Sequence, residues 1–185
     1  MNIATNLEWS AFFFPDRPAI SEGDSVTGYA RLNRRANRVA TALISLKIQP
    51  GDYIGILAPN SGDWIAFYFG ALKAGAVPVT LSSQLSKDEL ALLLNHCRPK
   101  MIFSSSEKLH SLEGLRASVG LEKIICPGGD LDMKRLTELG SASFQALNRD
   151  RGDTAAILYT GGTTGKPKGV MLSHENIHTL SLIHI

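Results

Sequence analysis

A helix that is apolar nearly all the way round is stable in water only when buried, and residues 62–74 spell such a helix. Trp64, Ile65, Phe67, Tyr68, Phe69 and Leu72 leave it without a polar face. It must therefore pack inside the molecule, and its aromatic stripe reads as core packed against a sheet rather than as a cofactor box. The flanks agree. Pro50-Gly51-Asp52 breaks the chain before a strand over 53–58, and Pro59-Asn60-Ser61 leads into the helix. Gly75 is placed to end it, and residues 76–80 return as a strand.

The alternation extends in both directions. A short helix over 3–13 is closed by Pro15 and Pro18, and residues 19–29 read as a hairpin with Glu22-Gly23-Asp24 as its turn. A helix over 31–46 carries Leu32, Ala36, Val39, Ala40 and Leu43 on one stripe. Arg34, Arg35, Asn37, Arg38 and Thr41 lie on its other side, which reads as a solvated face rather than an anion site. Ser86 and Glu89 form a capping-box pattern before a helix lined by Leu90, Leu93, Leu94 and Cys97. His96 beside Cys97 is not a metal pair, because neighbours on a helix point apart. A strand at 101–103, a helix over 107–118 and a strand at 123–126 follow, then a short helix near 131–139 and a polar connector to 153. The fold class is α/β, a mostly parallel sheet with helices on both faces. Ligands in such sheets bind at the carboxyl ends of the strands.

One such end is chemically distinctive. The apolar run 155–158 is followed by Tyr159-Thr160-Gly161-Gly162-Thr163-Thr164-Gly165-Lys166-Pro167-Lys168-Gly169. Glycines give close backbone approach, threonines give hydroxyl donors and two lysines give mobile charge, the combination that polyphosphate needs. The same residue types also build ordinary turns. A Walker A loop is excluded on three counts. Thr160 stands where its first glycine belongs, Pro167 replaces the magnesium-binding hydroxyl, and an apolar strand at 170–172 follows instead of a helix.

The stretch resembles the phosphate-loop signature of the AMP-forming adenylating enzymes: acyl-CoA synthetases, adenylation domains of peptide synthetases, and luciferases. Tyr159 to Val170 follow that pattern and continue through Met171-Leu172-Ser173-His174. Gly161 sits where serine is commonest, a Gly-Gly pair similar to that of many fatty-acyl-CoA ligases. Phe14-Pro15-Asp16-Arg17-Pro18-Ala19, Pro59-Asn60-Ser61 and Gly70-Ala71-Leu72-Lys73-Ala74-Gly75-Ala76 extend the resemblance over residues 7–179. It implies an acid–thiol ligase that uses ATP, Mg2+ and coenzyme A to convert a carboxylic acid, by subclass a fatty acid, into its thioester through an acyl-adenylate. Amino-acid, aryl or luciferin adenylation is the first alternative, and a nucleotide-binding module without turnover the second. The resemblance further implies that Thr160, Thr163 and Thr164 donate hydroxyls and that Gly161, Gly162, Gly165 and Gly169 offer backbone. Lys168 is the main catalytic cation and Lys166 an auxiliary one. His174 is assigned to helix initiation, not chemistry.

Composition adds bounds. A net charge of +2 gives no support to nucleic acid as a partner. Cys97 and Cys126 are far apart, which suits reduced thiols in the cytoplasm better than a disulfide or a metal site. No apolar run approaches membrane-spanning length, which leaves peripheral membrane association open. Because this family's members are longer, residues 1–179 are expected to be the N-terminal part of an adenylation domain. Residues 180–185, Leu-Ser-Leu-Ile-His-Ile, match the translation of a transposon-end sequencing adapter and are expected to be a non-native tail.

Overall fold

A computed structural model of the chain describes residues 1–160 and 168–183. The chain opens with helix α1 (Thr5–Phe13) and a hairpin of β1 (Pro18–Glu22) and β2 (Ser25–Gly28). The alternating part is α2 (Tyr29–Ser45), β3 (Tyr53–Leu57), α3 (Gly62–Lys73), β4 (Val77–Thr80), α4 (Lys87–Cys97), β5 (Met101–Ser104), α5 (Leu109–Val119) and β6 (Lys123–Ile125). Then come α6 (Met133–Glu138), β7 (Thr154–Thr160), β8 (Lys168–Ser173) and α7 (His174–Ile183).

The main sheet has the order β6-β5-β3-β4-β7-β8. Every pairing is parallel except β7 with β8, which is antiparallel. Helices cover both faces. One layer is α2, α3 and α6, whose Leu43, Phe67, Ala71 and Leu136 bury against Ile54, Ile56 and Met101. The other is α4 and α5, whose Leu90, Leu94 and Leu112 meet Leu57, Val79, Ile102 and Ile124. The central strands are apolar without alternation because both of their faces are covered.

The helix that organised the sequence reading is the innermost. Ser61 Oγ accepts from Trp64 N at 3.2 Å to start α3, and Gly75, at φ +74°, ends it. The α4 capping box forms as the sequence implies, with Ser86 N donating to Glu89 Oε2 at 2.9 Å.

Two residues depart from the sequence reading. Asn37 is not on a solvated face: it is buried, and its Nδ2 donates to Ala142 O at 2.8 Å. That bond fixes the connector beyond α6 to the middle of α2. The neighbouring arginines serve the fold as well. Arg35 pairs with Asp63 of α3, and Arg38 donates to Gly140 O at 3.1 Å, just past the end of α6. Lys73, in an otherwise apolar helix, is fully buried. Its Nζ meets Glu8 Oε1 of α1 at 2.5 Å, while burial lowers its pKa and Glu8 opposes the shift. The same carboxylate oxygen accepts from Ala146 N at 2.8 Å, and Asn2 Nδ2 bridges Leu72 O and Leu147 O. Together these bonds pin the N-terminus, α3 and the connector leading into β7. A buried ion pair needs further hydrogen bonds to persist, and the Ala146 amide supplies one to the carboxylate.

Candidate functional site

The parallel strands converge at a rim where β4 and β5 flank β3 on opposite sides. Loops leaving neighbouring strands in opposite directions open a crevice there. A cavity of about 500 Å³ occupies it, lined by Pro59, Asn60, Trp64, Thr80, Ser82 and Tyr159 among others. The turn after β3, the turn after β4 and the last turn of β7 each supply a wall. Trp64 stacks on Tyr68, with ring centroids 5.2 Å apart, so an indole is held flat at the cavity edge.

The threonine-glycine stretch leaves this rim. β7 carries it out to Thr160, and β8 returns antiparallel, pairing Thr160 with Lys168 and Tyr159 with Gly169. The two strands form a hairpin, so the segment between them is strand-loop-strand, unlike a phosphate loop feeding a helix. Lys168 is exposed at the first position of β8, across from the carboxyl end of β7. Its backbone is thus paired one position beyond Tyr159, a residue that lines the cavity. Gly169 follows, paired with Tyr159. Gly161, Gly162, Thr163, Thr164, Gly165 and Lys166, assigned above to the site, lie outside the described residues, as does the Thr160 side chain.

The sequence reading passed over the residues that hold this rim. Tyr159 Oη and His96 Nδ1 of α4 share a hydrogen bond of 2.6 Å, with the rings edge to face. His96 and Cys97 do point apart: Cys97 is buried in the α4 layer and burial pushes its thiol up to about 11, while His96 is exposed. The one advance signal was a histidine in the last turn of a helix that packs beside β7. His174 is the first residue of α7, but its side chain is not the cap. Ser173 caps the helix, its Oγ accepting from Asn176 N at 3.0 Å. His174 is instead buried, and its Nδ1 accepts from Ile3 N at 3.1 Å. Among the described residues no group of three or more His, Cys, Asp and Glu side chains could hold a metal ion. No helix among them is long and apolar enough to cross a membrane.

Residues 7–184 match the family described as AMP-binding enzyme. The chain belongs to the AMP-binding enzyme family. Among its relatives, the long-chain-fatty-acid–CoA ligase FadD13 of Mycobacterium tuberculosis is 33% identical over 153 residues, 82% of this chain and 30% of that protein. The fold is shared with other AMP-binding enzymes. The anthranilate CoA ligase AuaEII, solved with anthranoyl-AMP, superposes with a TM-score of 0.93 at 26% identity, over 99% of this chain and 36% of that one. ATP-bound MatB from Rhodopseudomonas palustris gives a TM-score of 0.88 at 31% identity, over 98% of this chain and 36% of that one. The chain therefore spans about a third of the length of each of these three proteins.

Proposed function

We propose that this chain is the phosphate-gripping part of an AMP-forming acid–coenzyme A ligase whose acid is a fatty acid. The observation that carries the proposal is the exposed Lys168 at the head of β8, paired with Thr160 at the carboxyl end of β7 in a chain of this family. The FadD13 likeness and the Gly161-Gly162 pair favour a fatty acid, and the AuaEII likeness favours an aryl acid as the second reading.

In the proposed reaction a carboxylate oxygen of the acid attacks the α-phosphorus of ATP. The bond to the β-phosphate breaks, and pyrophosphate leaves with the electron pair. The thiol of coenzyme A then attacks the acyl carbonyl, the proton leaves the sulfur, and AMP departs as the thioester forms. This chain's share is the first step. Lys168 meets the charge that builds on the departing pyrophosphate, and Thr160, Gly161, Gly162, Thr163, Thr164, Gly165 and Gly169 supply hydroxyl and backbone donors around it. Lys166 adds charge without a fixed position. Mg2+ fits this donor set only as a companion of the triphosphate, since the described residues hold no acidic cage for it.

The nucleotide product tests the reading. Incubating an enzyme that carries this segment with ATP, Mg2+, coenzyme A and a panel of fatty and aryl acids should yield AMP and pyrophosphate only when the right acid is present. Accumulation of ADP would mean phosphoryl transfer, and would overturn it. Turnover of an aryl acid and not of a fatty acid would select the second reading.

A further inference from the structure

We infer that His96 is a positioning residue for the phosphate-binding hairpin, acting through Tyr159. The inference rests on the proposed nucleotide role of that hairpin, but its geometry stands independently.

Tyr159 is the last residue of β7 before Thr160, and its ring is held from two sides. On one side its hydroxyl is hydrogen-bonded to His96 Nδ1 at 2.6 Å. On the other the ring lies over Gly169, its partner across the hairpin. A Cβ built on Gly169 would come within 3.3 Å of both Tyr159 Cε1 and Ile157 Cγ2, so β8 approaches this closely only because residue 169 has no side chain. The hydroxyl also neighbours the Cys97 thiol, and burial holds the phenol above its ordinary range, with Cys97 adding to the shift. The tyrosine therefore stays protonated, a neutral hydroxyl beside His96 and Cys97.

The consequence is mechanical. β7 and β8 are joined to the body of the sheet on one side only, because β8 is the last strand in the order. The paired end of the hairpin, Thr160 with Lys168, would be free to twist about β7 if nothing beyond the sheet held it. α4 is anchored independently by its capping box and by buried Leu90, Leu93, Leu94 and Cys97. Its last turn thus offers a fixed point, and His96 passes that rigidity to Tyr159 and on to Gly169. Lys168, one residue away from Gly169, is aimed by the same contact. A side chain that orients others in this way costs little in fold stability when removed, since His96 itself is exposed. The loss appears instead in the precision of the site it supports.

The test uses an enzyme that carries this segment and four variants of it: His96→Ala, His96→Asn, Tyr159→Phe and the double variant His96→Ala/Tyr159→Phe. Asparagine places an acceptor oxygen near the position of the imidazole Nδ1. Mg–ATP and pyrophosphate affinities are measured by calorimetry, with Lys168→Ala as the reference for loss of the nucleotide site. Amide hydrogen exchange is followed at Leu158, Tyr159, Gly169 and Val170. His96→Ala and Tyr159→Phe should each weaken nucleotide binding about fivefold to tenfold, as expected for one hydrogen bond. The double variant should be no worse than either single one, and His96→Asn should restore most of the affinity. Exchange at the four amides should quicken in His96→Ala and return towards wild type in His96→Asn, with unfolding midpoints unchanged. If Lys168→Ala weakens binding but His96→Ala and Tyr159→Phe do not, the positioning role is wrong and the nucleotide reading stands. If no form binds nucleotide, the nucleotide reading fails, and exchange alone decides whether His96 holds the hairpin. Unchanged protection in His96→Ala overturns the inference in every case.

Discussion

His174 shows how far a single side chain can reach in this molecule. It sits just after the hairpin, yet its Nδ1 accepts from Ile3 N at the other end of the chain. Burial lowers its pKa from the ordinary 6.5 to about 4, with the positive charges of Arg149 and the N-terminus adding to the shift. The folded chain therefore holds the neutral ring, which is the form able to accept. Between pH 6.5 and about 4 the unfolded chain takes up a proton that the folded chain refuses. This contribution to stability is fully present above 6.5 and is lost as pH falls through that window, by up to about 1.4 kcal/mol per pH unit. His174→Asn keeps an acceptor and removes the titration, so its urea-unfolding free energy should depend less on pH across the window. Identical pH profiles for the two proteins would show that the ring does not titrate as its surroundings imply.

Between elements, the crossing of α2 and α3 is a close fit. A Cβ on Gly70 would overlap Val39 and lie 3.1 Å from Ala36 O, so the helices are as close as their backbones allow. Gly70→Ala should cost about 1–3 kcal/mol by overpacking, read as a lowered midpoint of chemical unfolding with an unchanged slope. Gly114, on the open face of α5, has nothing within 4 Å of its added carbon. There the same substitution should stabilise by about 0.5–1 kcal/mol, because only helix propensity changes. Equal effects at the two sites would mean that α2 and α3 do not pack as closely as described. The helices and strands themselves were legible in the sequence, since periodicity and caps act within a few residues. Leu32, Ala36, Val39 and Leu43 announced the buried stripe of α2, and Ser86 with Glu89 announced the start of α4. Asn37, Lys73 and His174 were not legible in the same way. Their partners stand 105, 65 and 171 residues away, and no local pattern records a partner at that distance. Tyr159 was visible as part of a motif, but its tether to His96 depends on α4 and β7 lying side by side.

At the scale of the whole molecule, both helix layers and the N-terminal network serve one placement. They hold β7 beside β4 and bring the hairpin to the carboxyl rim, where Lys168 is exposed. The motif was legible because its residues are contiguous, whereas the cavity it borders draws on the turns after β3 and β4 as well as on Tyr159 of β7. The central claim is that Lys168 stabilises charge on pyrophosphate as it leaves, and carboxylate-dependent exchange of labelled pyrophosphate into ATP reports that step before coenzyme A is added. In an enzyme that carries this segment, Lys168→Ala should slow exchange about a hundredfold or more, the effect of losing one preorganised donor to developing charge. Lys166→Ala should do less. Conversion of supplied acyl-adenylate to thioester should be nearly untouched, because pyrophosphate has already gone. Exchange that survives Lys168→Ala at the wild-type rate would contradict the role given to the hairpin.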